Sequence, residues 1–209
     1  MLFEEENEIE LILTYKCNWH CDYCSVDTHN QTALNLNDIT NKLKLVTPNY
    51  NVTLSGGEIG LLDYNTIMLV INTLQEKNCK ISLNTNGVFL LKYPELAKYF
   101  SYVIYHCTED LESDPEFSAV NVFKNSGVIV EYMIVVTDNN IHNLDKYLNK
   151  HISTNFHIVA ASKPIGGLNV ILSNKNKYSI ISKQYKNITK ESIKRLIIKE
   201  KNFDSIKYI

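Results

Sequence analysis

Residues 17–24 read Cys-Asn-Trp-His-Cys-Asp-Tyr-Cys, and the rest of the chain is interpreted from this stretch. Three of its eight residues are cysteines, and they follow an apolar run, residues 9–14, that predicts a β-strand. Thiolates at this density are soft ligands, which select zinc, copper(I) or iron–sulfur clusters. We therefore expect Cys17, Cys21 and Cys24 to hold a metal group at the carboxyl end of the first strand.

The kind of metal group depends on the number of available ligands. A structural zinc ion takes four Cys or His ligands in a tetrahedron. No second Cys-x2-Cys pair occurs, because Cys79 and Cys107 stand alone. His20 or His29 is an alternative fourth zinc ligand. Three thiolates from one loop favour instead a cluster with one iron left open for chemistry.

Two further motifs lie downstream. Residues 53–58 read Thr-Leu-Ser-Gly-Gly-Glu, and residues 81–87 read Ile-Ser-Leu-Asn-Thr-Asn-Gly. In type, order and spacing the three motifs resemble those of the radical S-adenosylmethionine (radical SAM) superfamily. One departure is Ile59, which stands where that family often has a proline after the glutamate. The resemblance implies a partial (β/α)6 barrel with bound S-adenosylmethionine (SAM).

The resemblance also implies a set of cofactor contacts. Cys17, Cys21 and Cys24 are expected to ligate a [4Fe–4S] cluster whose open iron binds SAM. The implied SAM contacts are the backbone of Tyr23 with the adenine, Gly56, Gly57 and Glu58 with the amino group, and Thr85 and Asn86 with the methionine carboxylate or ribose.

The predicted secondary structure indicates the same architecture. Six strands, at residues 8–14, 51–55, 80–85, 102–107, 128–137 and 156–161, alternate with helical segments, which is typical of an α/β fold with a parallel sheet. Helices are predicted from an Asn37 or Asp38 cap to Val46, after a cap at Asp63, and over residues 94–100 and 140–150. Residues 108–125 are ambiguous. All three motifs end predicted strands, where parallel barrels carry their functional loops.

The length and charge distribution predict one domain with an extension. The 209 residues are 44% hydrophobic, enough for one buried core. We assign residues 1–168 to the barrel and 169–209 to a C-terminal helical extension packed on it, with an amphipathic helix at 189–201. Residues 174–209 carry ten basic and three acidic side chains, a balance that favours a solvated helix. Nucleic acid or an acidic leader peptide is an alternative partner that no motif supports.

Cysteine usage and the N-terminus predict a cytoplasmic protein. Five cysteines, three of them clustered, give no disulfide framework. The acidic N-terminus lacks the pattern of a signal peptide, and no apolar run is long enough to span a membrane.

The favoured function is a radical SAM enzyme that cleaves SAM reductively and abstracts a hydrogen atom from a substrate. A peptide substrate is slightly favoured over a nucleobase-like small molecule, and the electron would come from an external donor such as flavodoxin or ferredoxin. No cysteine follows Cys107, so we expect no auxiliary cluster. The alternatives are an activating enzyme for a larger partner, or a non-catalytic iron–sulfur or zinc module that binds RNA or a partner.

Cys107 is a candidate catalytic residue. Alternation places it with Val103 and Tyr105 on one face of the fourth strand, at the carboxyl end where substrate is expected. A thiol there is able to return a hydrogen atom to a substrate radical. Lone cysteines are more often small buried core residues, and that interpretation is favoured.

Overall fold

A computed structural model describes residues 8–21, 24, 34–106, 117–136 and 156–160. These residues form an α/β fold around one six-stranded sheet. Its strands are β1 (Glu8–Thr14), β2 (Asn51–Gly56), β3 (Lys80–Thr85), β4 (Tyr102–His106), β5 (Ile129–Val136) and β6 (Phe156–Ala160). The helix predicted at 140–150 and the extension at 169–209, with its helix at 189–201, lie outside the described residues.

The sheet follows the order of the chain, β1 to β6, and every neighbouring pair is parallel. Parallel neighbours need crossover connections, which the helices between the strands supply. Among the described strands β1 pairs only with β2 and β6 only with β5, so the sheet is open. This arrangement confirms the predicted parallel partial barrel.

Four α-helices are described: α1 (Leu36–Leu45), α2 (Tyr64–Glu76), α3 (Val88–Lys92) and α4 (Phe117–Asn125), together with 3₁₀ turns at Ile59–Leu61 and Pro94–Tyr99. The Asp63 cap of α2 is confirmed. The predicted cap of α1 is wrong by two or three residues, because Asn35 and Asp38 form a reciprocal capping box. None of the helices in the described ranges combines the length and hydropathy needed to cross a membrane.

The segment before β4 differs from the prediction. Residues 94–100 were expected to form a short helix, but the structure has a separate unpredicted helix, α3, followed by a 3₁₀ turn. Pro94 has no N–H to donate, so the α-helical bonding of α3 ends before it. Residues 108–125 gave no clear prediction. The structure describes residues 117–125 of this stretch, and they form α4.

One face of the sheet forms the core. Leu11, Leu54, Leu83 and Val103 lie in register on adjacent strands and are fully buried. The apolar stripe predicted on α2 packs into the same core, and it consists of Ile67, Val70, Ile71 and Leu74. Burial of this apolar surface is the main favourable contribution to folding, and it fixes the register of the strands.

Alternate residues place polar groups on the opposite face. Thr53, Ser82 and Tyr102 lie in register there and are only partly buried. Glu10 on β1 and Glu131 on β5 belong to the same face. In a parallel partial barrel this is the concave inner face, and its carboxyl end lies beside the three motifs.

The turn after β2 packs tightly against the start of the cysteine loop. Gly56 has a φ of 120°, which L side chains rarely adopt. Gly57 donates its N–H to the Thr14 carbonyl at 2.7 Å, and Glu58 donates its own to the Lys16 carbonyl at 2.8 Å. A Cβ on Gly57 would lie 2.0 Å from that Lys16 oxygen. The glycine pair therefore lets β2 position the chain that leads into Cys17.

We expect Gly57→Ala to push the cysteine loop away from β2. The clash is with backbone, so relief requires the loop to move, at a cost of about 1–3 kcal/mol. Unfolding in urea measures this cost. Alkylation of Cys17, Cys21 and Cys24, followed by mass spectrometry, measures the loop displacement, and we expect faster modification.

Gly127→Ala is the matched control. Gly127 has a φ of 83° and open space around its Cα, so an alanine there costs conformational energy, roughly 1–2 kcal/mol, without a clash. It should lower stability while leaving the alkylation rates unchanged. Equal alkylation in both variants would contradict the bracing role of Gly57.

Candidate functional site

The three motifs meet at one edge of the sheet. The cysteine loop follows β1, the Gly56-Gly57-Glu58 turn follows β2, and Asn86 follows β3. Since these strands are adjacent and parallel, their carboxyl ends lie side by side. Tyr23 and Cys107 fall outside the described residues, and their predicted roles stay predictions.

The cysteine loop carries three half-buried cysteines, none of which is in a disulfide bond. A turn hydrogen bond from the Cys24 N–H to the Cys21 carbonyl, 3.0 Å long, holds the second and third cysteines. The Trp19 N–H lies 3.4 Å from the Cys17 Sγ and donates to it. Burial raises the pKa of the Cys17 thiol, the Trp19 hydrogen bond opposes this rise, and the charges of Glu58, Cys21 and Cys24 add to it.

This ligand set fits an iron–sulfur cluster better than a single ion. Within the described ranges, no three Cys, His, Asp or Glu side chains lie close enough to share one metal ion. The alternative zinc site with His20 or His29 would need four ligands within about 2.3 Å of the ion; His29 lies outside the described residues, and the described ones do not bring three such ligands together. Each thiolate of a four-iron cluster binds a different iron, so its ligands stand farther apart. Cys21 and Cys24 lie near enough to Cys17 for their charges to raise the pKa of its thiol.

Glu58 is the most deeply buried charged residue of the site, with only 1% of its surface exposed. Its Oε1 accepts the N–H of Gly60 at 2.8 Å and that of Phe89 at 3.2 Å. Its Oε2 accepts the N–H of Asn86 at 2.8 Å. The Thr85 hydroxyl lies 2.9 and 3.0 Å from the two oxygens. Four donors from three segments therefore converge on one carboxylate.

The environment of Glu58 acts on its charge in two directions. Burial raises the pKa of the carboxyl group, while hydrogen bonds from Asn86, Gly60, Thr85 and Phe89 oppose the rise. A buried carboxylate is tolerated only when its lone pairs find donors, and here they find four. The side chain thereby joins the end of β2 to the end of β3 and the first turn of α3. We call this carboxylate and its four donors the Glu58 bracket.

Thr85 and the glycine pair support this bracket from within. Thr85 is 2% exposed, and its hydroxyl also accepts the Gly87 N–H at 3.0 Å. Its side chain belongs to the helix-covered face, together with Leu83. The Gly57 N–H, which we predicted to face SAM, is engaged by Thr14. The SAM contacts predicted for Thr85, Gly56, Gly57 and Glu58 remain predictions, and the geometry shows these residues bracing one another.

Asn86 bridges the bracket and the cysteine loop. Its side-chain Nδ2 lies 2.9 Å from the Asn18 Oδ1 and 3.8 Å from the Cys17 Sγ. The sequence interpretation missed Asn18 as a partner, because the contact joins residues 68 positions apart. The order of the three motifs along the chain was the available signal for this contact, since it placed both segments at the same edge of the sheet.

Asn84 was also missed, and it lies on the concave face. Its Nδ2 contacts the Ser55 hydroxyl at 3.4 Å. Its Oδ1 is buried and has no hydrogen-bond donor, a rare state for a buried polar atom. Period-two alternation along β3 was the signal that placed Asn84 beside Ser82 and away from the core.

Comparison with known proteins identifies the same region of the chain. The model of the Radical SAM superfamily matches residues 11–106, which include all three motifs. Members of this superfamily use a [4Fe–4S] cluster and SAM.

Two curated relatives match in sequence. A Methanococcus maripaludis protein named as a GTP 3′,8-cyclase is 27% identical over 153 residues, which cover 71% of this chain and 46% of that protein. A Methanocaldococcus jannaschii protein named as a glycyl-radical enzyme activating enzyme is 30% identical over 82 residues, which cover 38% of this chain and 31% of that protein. The chain thus spans less than half the length of either relative.

Solved structures show the same fold. The structure of anSMEcpe with bound AdoMet and a Cp18Cys peptide matches with a TM-score of 0.57 and 18% identity, over 75% of this chain and 51% of that one. Streptococcus suis SuiB bound to S-adenosylmethionine matches with a TM-score of 0.53 and 17% identity, over 86% of this chain and 49% of that one. The similarity to the Radical SAM superfamily thus covers residues 11–106, and the three motifs within it lie at the carboxyl ends of an open parallel sheet.

Proposed function

We propose that the chain is a radical SAM enzyme, in which a [4Fe–4S] cluster on Cys17, Cys21 and Cys24 supplies the electron that cleaves SAM, and the resulting radical abstracts a hydrogen atom from a substrate. The observation that carries this proposal is the convergence of three cysteines, none in a disulfide, with the Glu58 bracket at one sheet edge. An external electron donor, such as flavodoxin or ferredoxin, would supply that electron to the cluster.

The described residues support this chemistry by holding the loop in place. Gly57 and Glu58 donate their N–H groups to the carbonyls of Thr14 and Lys16, which sets the direction in which the loop leaves β1. Half-burial of the thiols limits the access of water and oxidants to a bound cluster. Tyr23, through its backbone, is assigned to the adenine on the strength of the family resemblance.

A peptide is the favoured substrate. The described strands carry neutral hydrogen-bonding groups on the concave face, and Ser82 and Asn84 are central among them. Lys80 is the only lysine or arginine at inner-face positions of these strands, and it begins β3, about 16 Å from the motif end. A triphosphate would be expected to meet more cationic groups. The peptide in the anSMEcpe structure supports the same choice. The relative named as a GTP cyclase makes a small molecule the second candidate.

Anaerobic reconstitution tests the proposed activity. The protein, loaded with iron and sulfide and then reduced, should convert SAM to 5′-deoxyadenosine, measured by chromatography. A protein that binds iron yet yields no 5′-deoxyadenosine would be a non-catalytic binding module, and the proposed function would be wrong.

Replacement of any one loop cysteine by alanine should abolish both the cluster and SAM cleavage, because the proposed cluster has only three thiolate ligands and losing one leaves two irons without a protein ligand. Iron and sulfide content, together with 5′-deoxyadenosine yield, measure the effect. Cys79→Ala is the matched control, since Cys79 is a partly buried cysteine outside any disulfide but follows α2 at the opposite end of the sheet. It should retain four irons. Full cleavage in a Cys17, Cys21 or Cys24 variant would remove that residue from the ligand set.

Glu58→Gln should destabilise the fold and weaken SAM binding together. An amide offers one acceptor oxygen where the carboxylate offers two, so at least one of the three backbone N–H groups loses its partner, at about 1–3 kcal/mol. Urea unfolding and SAM titration measure the two effects. Glu76→Gln, at the exposed end of α2, is the control and should change neither. Weaker SAM binding at unchanged stability would show that Glu58 contacts SAM directly and is not a bracket.

The role predicted for Cys107 has a direct test. If its thiol returns a hydrogen atom to the substrate radical, Cys107→Ala should still form 5′-deoxyadenosine from SAM but should lose the normal product. Product analysis by mass spectrometry decides between the alternatives. Unchanged product formation would leave Cys107 as a packing residue.

A further inference from the structure

The side-chain amide of Asn86 is held in one orientation. Asn86 is 7% exposed, and its backbone N–H is bound to the Glu58 carboxylate. Its Oδ1 lies 3.4 Å from the N–H of Val88, which donates to it. The carbonyl end of the amide therefore faces α3, and the NH₂ end faces the cysteine loop.

That NH₂ group lies within hydrogen-bonding distance of two acceptors in the loop. One acceptor is the Asn18 Oδ1, at 2.9 Å from Nδ2, and the other is the Cys17 Sγ, at 3.8 Å. Sulfur is a large acceptor, so its hydrogen bonds are longer than those to oxygen. Asn86 thus donates to a predicted cluster ligand and to the residue that follows it.

We propose that Asn86 is a positioning residue that orients the Cys17 thiolate and raises the reduction potential of the cluster. This inference rests on the proposed function, because it requires a cluster on Cys17. Hydrogen bonds to cluster sulfurs set the potentials of iron–sulfur proteins, and groups that bind a ligand tune the metal it holds. An N–H donor stabilises the reduced form more, since the added electron increases the negative charge on sulfur.

The Asn86 amide depends on Glu58 for its position. The Glu58 Oε2 fixes the Asn86 backbone, and the Asn86 side chain then reaches Cys17. A neutral amide adds no full charge beside a thiolate that already lies near Glu58. An aspartate would place a second acceptor against sulfur, and an alanine would leave Cys17 with one donor fewer.

The test is a redox titration of reconstituted protein, followed by electron paramagnetic resonance of the reduced cluster. In Asn86→Ala we expect the reduction equilibrium to fall roughly threefold to tenfold, a tenfold fall being about 59 mV for one electron. Asn86→Asp should move the potential in the same direction and farther. Both shifts are toward more negative values.

Two controls separate the Cys17 contact from the other contacts of the amide. Asn18→Ala removes the second acceptor but leaves the Cys17 contact, and Asn84→Ala removes the asparagine two residues before Asn86, on β3, which bonds to Ser55. Both should keep the potential of the unmutated protein. A potential unchanged in both Asn86 variants would overturn the inference, as would an equal shift in Asn18→Ala.

A measurement on the unmutated protein makes the test independent of variant folding. Asparagine labelled with ¹⁵N in the side chain should give a ¹⁵N hyperfine coupling to the reduced cluster, retained in Asn18→Ala. Absence of the coupling would overturn the inference even if the Asn86 variants fail to hold iron. Formation of the cluster and of 5′-deoxyadenosine with no coupling and no shift would leave the proposed function intact. A protein that forms no cluster would refute both.

Discussion

The Glu58 carboxylate is the contact on which the site depends. It lies inside the protein, where an unpaired charge would cost several kcal/mol, and it is stable there because four donors surround it. These donors belong to the turn after β2, the end of β3 and the first turn of α3. The sheet edge therefore becomes a single rigid unit, since moving any of these segments would leave a buried N–H group or the carboxylate without its hydrogen-bond partner.

This rigid unit matters because it braces the cysteine loop from outside. The Gly57 and Glu58 N–H groups bond to the Thr14 and Lys16 carbonyls, and the Asn86 amide contacts the Cys17 thiol. Burial raises the pKa of that thiol, and the nearby charges of Glu58, Cys21 and Cys24 add to the rise. External bracing of this kind would hold the thiols in place for the proposed metal group.

The sequence predicted the strands well because their signals are local. Period-two alternation and β-branched residues located all six strands, and the Asp63 cap and apolar stripe located α2. The short helix α3 was missed because Gly87, with a φ of 107°, and Pro94 confine it to five residues. Too few residues remain for a helical period to show.

The site was predictable in its location but less so in the roles of its residues. Motif order placed the cysteines, Glu58 and Asn86 at one edge, because parallel strands end together. The function of Glu58 as a bracket could not be read from the sequence, since three of its four donors, on Thr85, Asn86 and Phe89, lie 27 to 31 positions away. Which donor reaches which oxygen depends on the packing of α3 against the glycine turn.

The Glu58 bracket lies on one face of the sheet, and this gives the two faces different roles. A Cβ on Gly60 would lie 2.4 Å from the Phe89 nitrogen, so α3 and the β2 turn are in direct contact on the helix-covered side. Because the bracket is built entirely on that side, the concave side needs no charged residue to hold the edge together. The buried Asn84 Oδ1, which has no hydrogen-bond donor, lies on that concave side. In the proposed radical enzyme, the groups that support the motifs would therefore be separate from those that face the substrate.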